Sequence, residues 1–199
     1  MKPMIKYRGG KSKELVHIKR WIPHTYDRYI EPFFGGGALY FDLEPERAVI
    51  NDLNKPLMQF YEDVALHYDR LHHELEKIQN VYEKNRLDFE KRKKITPEEK
   101  VPDANEALYY QFRAEYNHLE PSEYLPGTIY YYINKTAYSG MIRYNKNGEF
   151  NVACGKYKNP RICDSKNLRN LSFLIRNVEF QYGDYKKSEK YVDSNTFVY

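Results

Sequence analysis

Residues 28–37 read Arg-Tyr-Ile-Glu-Pro-Phe-Phe-Gly-Gly-Gly. The first four residues predict a short strand, and the next six predict a glycine loop that leads into a helix beginning near Ala38. A second apolar run, Ala48-Val49-Ile50, predicts another strand that ends at Asn51 and Asp52. Strand, loop, helix and strand in this order form a βαβ unit, and such units build parallel sheets with helices on their faces. The pattern therefore predicts an α/β fold.

The regions on either side of this unit carry further helical and strand patterns. Ser12 is predicted to cap a helix over residues 13–22, and apolar residues at helical spacing predict one long helix over residues 57–78. Residues 82–100 are dense in both charge signs and predict a solvated helix end and loop, although the basic run 91–94 could instead contact phosphate. Further helices are predicted over residues 104–117 and 128–137, and further strands over residues 141–144, 149–152, 178–182 and 196–199.

The composition sets few limits on function. The net charge of +4 and the isoelectric point near 8.8 permit a polyanionic partner without requiring one. The 21 tyrosines offer faces for stacking and hydroxyls for hydrogen bonding, although core packing alone could account for most of them. Two cysteines are too few for a disulfide framework, and there is no signal peptide or long apolar run. These features favour a cytoplasmic protein without a membrane partner, and no metal site is predicted.

Three segments together indicate a nucleoside-binding site. The glycine loop lies between a strand and a helix, where backbone N–H groups can approach a ligand, although an isolated glycine run more often marks a tight turn. Asp52 ends the second strand, where Rossmann-like sites place an acid on ribose hydroxyls, but it could also cap a helix before Pro56. Residues 6–11, Lys-Tyr-Arg-Gly-Gly-Lys, add a second glycine segment with an aromatic side chain and cations. The combination favours a nucleoside ligand.

Five segments of the chain resemble, in order, the motifs of Dam-like D12-class DNA adenine methyltransferases. They are residues 6–11, 31–37 (Glu-Pro-Phe-Phe-Gly-Gly-Gly), 51–54 (Asn-Asp-Leu-Asn), 112–117 (Phe-Arg-Ala-Glu-Tyr-Asn) and 140–155, which contains Arg-Tyr-Asn and Gly-Glu-Phe-Asn-Val. The resemblance spans essentially the whole chain. It implies a site-specific DNA adenine-N6 methyltransferase that uses S-adenosyl-L-methionine and acts on double-stranded DNA.

The resemblance also implies a domain organisation. A Rossmann-like methyltransferase core is expected from residues 1–57 and 160–199. A helical and β-hairpin target-recognition lobe, residues 58–159, is expected to be inserted between the two parts of the core.

Eight residues are implied as the cofactor site: Tyr7, Lys11, Phe33, Gly35, Gly37, Asp52, Asp184 and Tyr185. Tyr7 and Lys11 would surround the cofactor, and the loop from Phe33 to Gly37 would cradle its methionine part. Asp52 would hold the ribose. The segment Gly183-Asp184-Tyr185 resembles the part of the family that contacts the adenine ring, with Asp184 accepting from the exocyclic amine. Without the resemblance, that segment would be interpreted equally well as an ordinary turn.

The stretch from residue 134 to 161 is locally basic. It contains six cations and one acid, a net charge of +5, with tyrosines interleaved. Such a hairpin can place cations on phosphates and a few side chains on base edges, although a merely solvated hairpin has the same composition. The resemblance implies that Lys6, Tyr138, Ser139 and Arg143 contact DNA. Arg143 would read a guanine, and Tyr138 would enter the base stack and help to flip the adenine out.

Two positions depart from the pattern of family members that methylate GATC. Those members usually have Asn-Gly where this chain has Ser139-Gly140, and Asn-Val-Pro where it has Asn151-Val152-Ala153. The sequence that this protein recognises is therefore not predicted.

The family's catalytic tetrapeptide, Asp-Pro-Pro-Tyr, does not occur in these residues and would follow Tyr199. No catalytic residue is therefore assigned within the chain, which is expected to be inactive alone. A truncation, a split enzyme completed by a second polypeptide, or a sequence that lacks its second half would all fit this pattern. Two alternatives stay open at this point: a DNA-binding or regulatory fragment without catalysis, and a methyltransferase that acts on RNA.

Overall fold

A computed structural model describes residues 1–199 and divides them into two compact units. Met1–Tyr68 and Lys166–Tyr199 form the first, which we call the core unit, and Asp69–Ser165 forms the second, which we call the inserted unit. The helices are α1 Leu15–Ile18, α2 Tyr40–Leu43, α3 Lys55–Leu66, α4 Tyr68–Ile95, α5 Ala104–Tyr116, α6 Pro126–Thr136 and α7 Ser165–Ile175. The strands are β1 Arg28–Glu31, β2 Ala48–Asp52, β3 Glu179–Tyr182 and β4 Thr196–Val198.

The core unit is built on a four-stranded parallel sheet in the order β3-β2-β1-β4. All five residues of β2 are buried, as are three of the four in β1, whereas the edge strands β3 and β4 are partly exposed. Burial of the central strands is typical of parallel sheets, whose crossover connections cover both faces. The sheet confirms the predicted α/β, Rossmann-like fold class, and all four strands lie where the sequence predicts them.

Helix α3 belongs to the core unit because it packs against β2 and β3. Its first turn is set locally: the Asn54 side chain accepts a hydrogen bond of 3.2 Å from the Leu57 N–H, and Pro56 occupies a position that needs no N–H donor. Leu57, Phe60 and other apolar residues on one side of α3 are buried. The core unit therefore extends to Tyr68, beyond the boundary at residue 57 suggested by the sequence.

The helices differ from the sequence prediction in four places, one of which is α7, a helix that the sequence analysis does not predict. The helix predicted over residues 13–22 is reduced to α1 and a 3-10 turn over Lys19–Trp21, and Ser12 does not cap it. The long helix predicted from residue 57 is broken at His67, whose backbone leaves the helical region (φ −129°, ψ 31°). The second part, α4, continues to Ile95 through the segment for which the sequence predicts a helix end and loop.

Side-chain pairs one turn apart stabilise α4. Arg86 and Glu90 form an ion pair of 2.8 Å one turn apart, and Gln79 donates to Glu83 at the same spacing. The last turn is basic, which suits the negative end of the helix dipole. None of the helices combines the length and the apolar composition that a membrane-spanning helix requires.

The inserted unit has its core between α5 and α6, which pack together. The rings of Phe112 and Tyr132 lie 4.4 Å apart, and nine of the eleven residues of α6 are buried. A buried carboxylate joins α4 to the start of α6: Glu74 Oε2 accepts from the Leu125 N–H (3.0 Å) and the Thr128 hydroxyl (2.6 Å). Glu74 also pairs with Arg70 at 2.8 Å, so its charge is satisfied despite burial.

Candidate functional site

The glycine loop that follows β1 has a conformation that only glycine adopts without strain. Gly35 and Gly37 have φ of +50° and +66°. A Cβ on Gly37 would lie 2.5 Å from a Phe34 ring carbon, and one on Gly35 would lie 2.9 Å from the ring of Tyr7. The ring of Tyr7 therefore lies directly against the loop, and the two glycine segments of the sequence belong to one site.

The carboxylate of Asp52 fastens this loop to the end of β2. Its Oδ2 accepts a hydrogen bond from the Gly35 N–H at 2.7 Å, and its Oδ1 accepts from the Asn54 N–H at 2.9 Å. Asp52 is only 8% exposed. A carboxylate has about four acceptor positions, so each oxygen can still accept one more donor.

Asn51 extends the connection to a third strand. Its side-chain amide donates to the carbonyl oxygen of Pro32 at 2.9 Å and to that of Gly183 at 3.0 Å. The Gly183 N–H in turn donates to the carbonyl oxygen of Asp52. The loops after β1, β2 and β3 are thus joined at one edge of the sheet, and the buried Asn51 Oδ1 has no hydrogen-bond partner. Ligands of open parallel sheets bind outside this carboxyl edge.

A cavity of about 280 Å³ opens beside the glycine loop. It is lined by Tyr7, Arg8, Gly9, Gly10, Lys11, Glu31, Phe33, Phe34, Gly35, Gly36, Gly37, Ala38, Leu39 and Tyr199. Five of the eight predicted cofactor residues therefore line one cavity: Tyr7, Lys11, Phe33, Gly35 and Gly37.

The other predicted cofactor residues lie at the same sheet edge but do not line this cavity. The ring of Tyr185 lies 5.7 Å from that of Phe33, and both rings are exposed. Asp184 begins a 3-10 turn, where its Oδ1 accepts from the Lys186 N–H at 2.9 Å and its second oxygen stays available. The structure thus places exposed aromatic surface and a carboxylate after β3, next to the loops that Asp52 holds.

Glu31 is a further candidate residue. It belongs to the motif over residues 31–37, but the sequence analysis assigns it no role. It lines the cavity, is 3% exposed, and accepts a hydrogen bond of 2.6 Å from the Tyr29 hydroxyl. Burial raises the pKa of Glu31 to about 8, and the nearby charge of Asp52 adds to the effect. Its position directly before Pro32 in the glycine loop is the signal that could have identified it.

In the inserted unit, α5 holds the segment predicted to read DNA. The Asn117 amide pairs with the backbone of Phe150 as a neighbouring strand would: it donates to the carbonyl oxygen at 3.0 Å and accepts from the N–H at 2.8 Å. The Tyr109 hydroxyl donates to the carbonyl oxygen of Val152 at 2.9 Å, and the hydroxyls of Tyr116 and Tyr144 lie 2.7 Å apart. Through these hydrogen bonds, residues of the motif over 112–117 and the neighbouring Tyr109 support the backbone of the hairpin.

The predicted strands 141–144 and 149–152 are not regular strands. Only one antiparallel bridge, between Tyr144 and Phe150, joins them. Side chains of α5 take the place of a second row of ladder hydrogen bonds. The Asn145 side chain closes the turn by accepting from the N–H groups of Asn147 and Glu149, both at 2.9 Å.

The predicted DNA-contacting residues of the inserted unit are exposed. Tyr138 is 58% exposed, and Ser139 follows it with φ of +54°. The backbone N–H of Tyr138 donates to the carbonyl oxygen of Ala153 at 2.9 Å, which fixes the base of this tip. Arg143 lies on the hairpin, where its Nε donates to Asn151 Oδ1 at 3.0 Å. Lys6 is also exposed, in the core unit.

Four of the six cations of this region fall into two groups. Lys156 and Arg161 pair with Glu106 and Asp164, each at 3.1 Å. Lys146 and Lys158 are exposed and pair with no acid. The basic surface that remains is therefore smaller than the charge count of the sequence suggests, and it includes the turn of the hairpin.

Comparison with known proteins identifies the family of this chain. A sequence profile described as "D12 class N6 adenine-specific DNA methyltransferase" matches residues 7–199. The chain belongs to this family. The family is an enzyme class, which confirms the resemblance that the five motifs carry.

Individual relatives of this D12-class chain have matching names. "Type II methyltransferase M.MjaIII" of Methanocaldococcus jannaschii is 38% identical over 210 residues, covering 100% of this chain and 68% of the relative. "Type II methyltransferase M1.LlaDCHI" of Lactococcus lactis subsp. cremoris is 30% identical, over 100% of this chain and 64% of its own length. The "DNA adenine methylase" of Escherichia coli (strain K12) is 30% identical over 98% and 62%. The chain thus spans about two thirds of the length of these relatives.

Proposed function

We propose that the protein is a site-specific DNA adenine-N6 methyltransferase that uses S-adenosyl-L-methionine and double-stranded DNA. Residues 1–199 would supply the cofactor site and the target-recognition element. The observation that carries this proposal is the joining of three loops at the carboxyl edge of the sheet by the side chains of Asn51 and Asp52. Family membership and the names of the relatives support it.

The residues present fit S-adenosyl-L-methionine, which supplies a methyl group on a sulfonium cation. The cavity of about 280 Å³ is near the lower end of the range of roughly 300–1,000 Å³ for small-molecule sites. The absence of a Cβ on Gly35 lets the ring of Tyr7 pack directly against the glycine loop, where it offers an aromatic face to a cation. Asp52 retains acceptor positions for ribose hydroxyls, while Asp184 and Tyr185 offer an acceptor and a ring to the adenine base.

The inserted unit supports the DNA assignment. The hairpin presents Arg143 and Lys146 to solvent, Lys158 is exposed beyond it, and the neighbouring tip presents the ring of Tyr138. Arginine suits guanine, lysine suits phosphate, and an exposed aromatic ring suits the space left when a base is flipped. We propose that Lys6 adds a phosphate or base contact from the core unit.

The methyl-transfer step requires groups that residues 1–199 do not contain. The exocyclic amine of adenine is a poor nucleophile because its lone pair is delocalised into the ring. Acceptors for its protons and a flat wall for the base must hold it in line with the sulfonium methyl group. The family supplies these as Asp-Pro-Pro-Tyr, a tetrapeptide that does not occur in residues 1–199.

Calorimetric titration of S-adenosyl-L-methionine into the purified chain tests the cofactor site. Asp52→Ala should lower the affinity on the order of ten- to a hundredfold, because a charge-assisted hydrogen bond is removed and the loop is released. Asp88→Ala, which changes an exposed acid of the inserted unit, is the matched control and should bind as the wild type does. Circular dichroism of each variant verifies folding. Equal affinities of the wild type and the Asp52 variant would contradict the assignment.

DNA binding separates the main alternatives. The purified chain is mixed with duplex DNA and, separately, with duplex RNA of matched sequence. Preference for the DNA duplex supports the proposal, and preference for RNA would replace it with an RNA-directed function. Binding of DNA without any cofactor affinity would favour a DNA-binding fragment.

A further inference from the structure

The guanidinium of Arg143 is held from one side by a residue across the hairpin. Arg143 Nε donates to Asn151 Oδ1 at 3.0 Å, and the Asn151 backbone N–H donates to the carbonyl oxygen of Arg143 at 3.2 Å. The two residues are therefore opposite each other, and both a backbone and a side-chain contact join them. Arg143 itself is exposed.

Asn151 is in turn fixed by its neighbours in sequence. Phe150 is held on both backbone groups by Asn117, and the carbonyl oxygen of Val152 accepts from Tyr109. Phe150 and Val152 are each 1% exposed. Asn151, which accepts the hydrogen bond from Arg143, therefore lies between two residues whose backbone groups are themselves hydrogen-bonded.

This arrangement leaves one edge of the guanidinium for a ligand. Arginine has five N–H donors, and the Nε–H is engaged by Asn151. The remaining donors are on the two terminal nitrogens, which belong to an exposed side chain. In the DNA major groove, guanine presents two neighbouring acceptors, N7 and O6, that match such a pair of nitrogens.

We propose that Asn151 is a specificity-positioning residue, which holds Arg143 so that its two terminal nitrogens read one guanine end-on. The inference rests on the proposed DNA-recognition function and goes beyond it, because it assigns Asn151 a part in base discrimination without contact to the base. A side chain that is held in place before binding loses less freedom on binding, and a misdirected one can still contact phosphates but not N7 and O6 together.

Selection from a pool of duplexes with about eight randomised base pairs provides the test, since it works on a recognition site of unknown sequence. Duplexes that bind the wild-type chain are sequenced to find positions where guanine is enriched. Asn151→Leu keeps the size of the side chain but removes the acceptor, whereas Asn151→Asp keeps an acceptor. Asn147→Ala, in the turn of the same hairpin, is the matched control because its side chain makes no contact with Arg143.

One guanine position should lose its enrichment in Asn151→Leu and in Arg143→Ala, and keep it in Asn151→Asp and Asn147→Ala. On single duplexes, discrimination at that base pair should fall roughly five- to fiftyfold in Asn151→Leu. Replacing that guanine by 7-deazaguanine removes N7, so it should weaken wild-type binding and have little further effect on Asn151→Leu. Circular dichroism and thermal melting show that each variant is folded.

The outcomes separate this inference from the proposed function. Enrichment of the same guanine by Asn151→Leu and the wild type, or an equal decrease of affinity for all duplexes, would overturn the positioning role and leave DNA recognition intact. A wild-type chain that selects no sequence would overturn both. If Asn151→Leu does not fold, two other variants decide the question. Asn151→Asp should keep the guanine preference, and Asn151→Ser should lose it, because the shorter serine side chain does not reach Arg143.

Discussion

At the scale of single residues, Ser139 has a backbone conformation that few side chains tolerate. Its φ is +54°, in the left-handed region, where asparagine and glycine are the least strained. Family members that methylate GATC usually have asparagine there. We expect Ser139→Asn to raise the free energy of unfolding by about 0.5–1 kcal/mol. Urea denaturation measures the change, and Ser139→Ala, which keeps the strain, should give no gain.

Glu31 should make stability depend on pH. Burial raises the pKa of Glu31 from its ordinary value of 4.5 to about 8, so between these pH values the folded state binds more protons than the unfolded state. The contribution of this group to the free energy of unfolding is therefore fully present below pH 4.5 and is lost as pH rises through 8. At about 1.4 kcal/mol per pKa unit, the loss amounts to a few kcal/mol.

Glu31→Gln removes this titration while keeping groups that can pair with Tyr29. The melting temperature of the variant should exceed that of the wild type at about pH 9 and lose this advantage at about pH 5. Glu46→Gln, at an exposed acid, serves as the control and should follow the wild type across the range. Parallel melting curves of Glu31→Gln and the wild type between these two pH values would show that Glu31 does not titrate in this window.

At the scale of elements, the hairpin depends on α5 for its conformation. Asn117 supplies two hydrogen bonds to the backbone of Phe150, and Asn117→Ala leaves both groups without these partners. The expected destabilisation is about 1–3 kcal/mol. Hydrogen exchange at the Phe150 N–H should accelerate in this variant and stay unchanged in Asn147→Ala. Unaltered protection of Phe150 would show that Asn117 is not what shields this N–H from exchange.

Lys146 and Lys158, which are exposed and pair with no acid, should contribute to phosphate binding. In Lys146→Gln and in Lys158→Gln, the slope of log affinity for DNA against log salt concentration should fall by about 0.9 for each phosphate that is no longer bound. Lys156→Gln is the matched control, because Glu106 already pairs with Lys156 at 3.1 Å. All sequences should be affected alike. A slope change as large for Lys156 as for the other two would contradict the assignment.

The elements that the sequence predicts well are those whose signal is local. The short apolar runs of β1 and β2 and the glycine loop between them lie where the sequence predicts them. The sequence overestimates the strands of the hairpin, because their backbone partners are side chains of α5, more than twenty residues away along the chain. The alternation of apolar and polar residues along a strand does not reveal such distant side-chain partners.

Helix α7 is missing from the sequence prediction, although its residues contain the signal. Leu168, Leu171 and Ile175 recur at helical spacing and are all buried. The break at His67 has no comparable signal, since the apolar spacing continues from α3 into α4. Among the site residues, the glycines and Asp52 are predictable from their motif, whereas the orienting contact between Asn151 and Arg143 is visible only once the hairpin is folded.

At the scale of the whole molecule, residues 1–199 purified alone should not methylate adenine. Asp52 and Asp184 are engaged at the proposed cofactor site, so neither is placed to hold the adenine amine. Without the positioning groups, transfer should be reduced by orders of magnitude. Tritiated S-adenosyl-L-methionine and duplex DNA measure incorporation, with the chain alone and with added polypeptide that carries Asp-Pro-Pro-Tyr. Robust incorporation by the chain alone would place the catalytic centre within these residues.

The division into units also bears on how such proteins change over time. The inserted unit is one uninterrupted stretch of sequence, Asp69–Ser165, whereas the core unit is assembled from two stretches. A single genetic exchange with two crossover points, near Tyr68 and Lys166, can therefore replace the whole inserted unit while every strand of the core sheet keeps its own sequence and its parallel neighbours. Lineages can in this way acquire a different inserted unit without rebuilding the loops that Asn51 and Asp52 hold together.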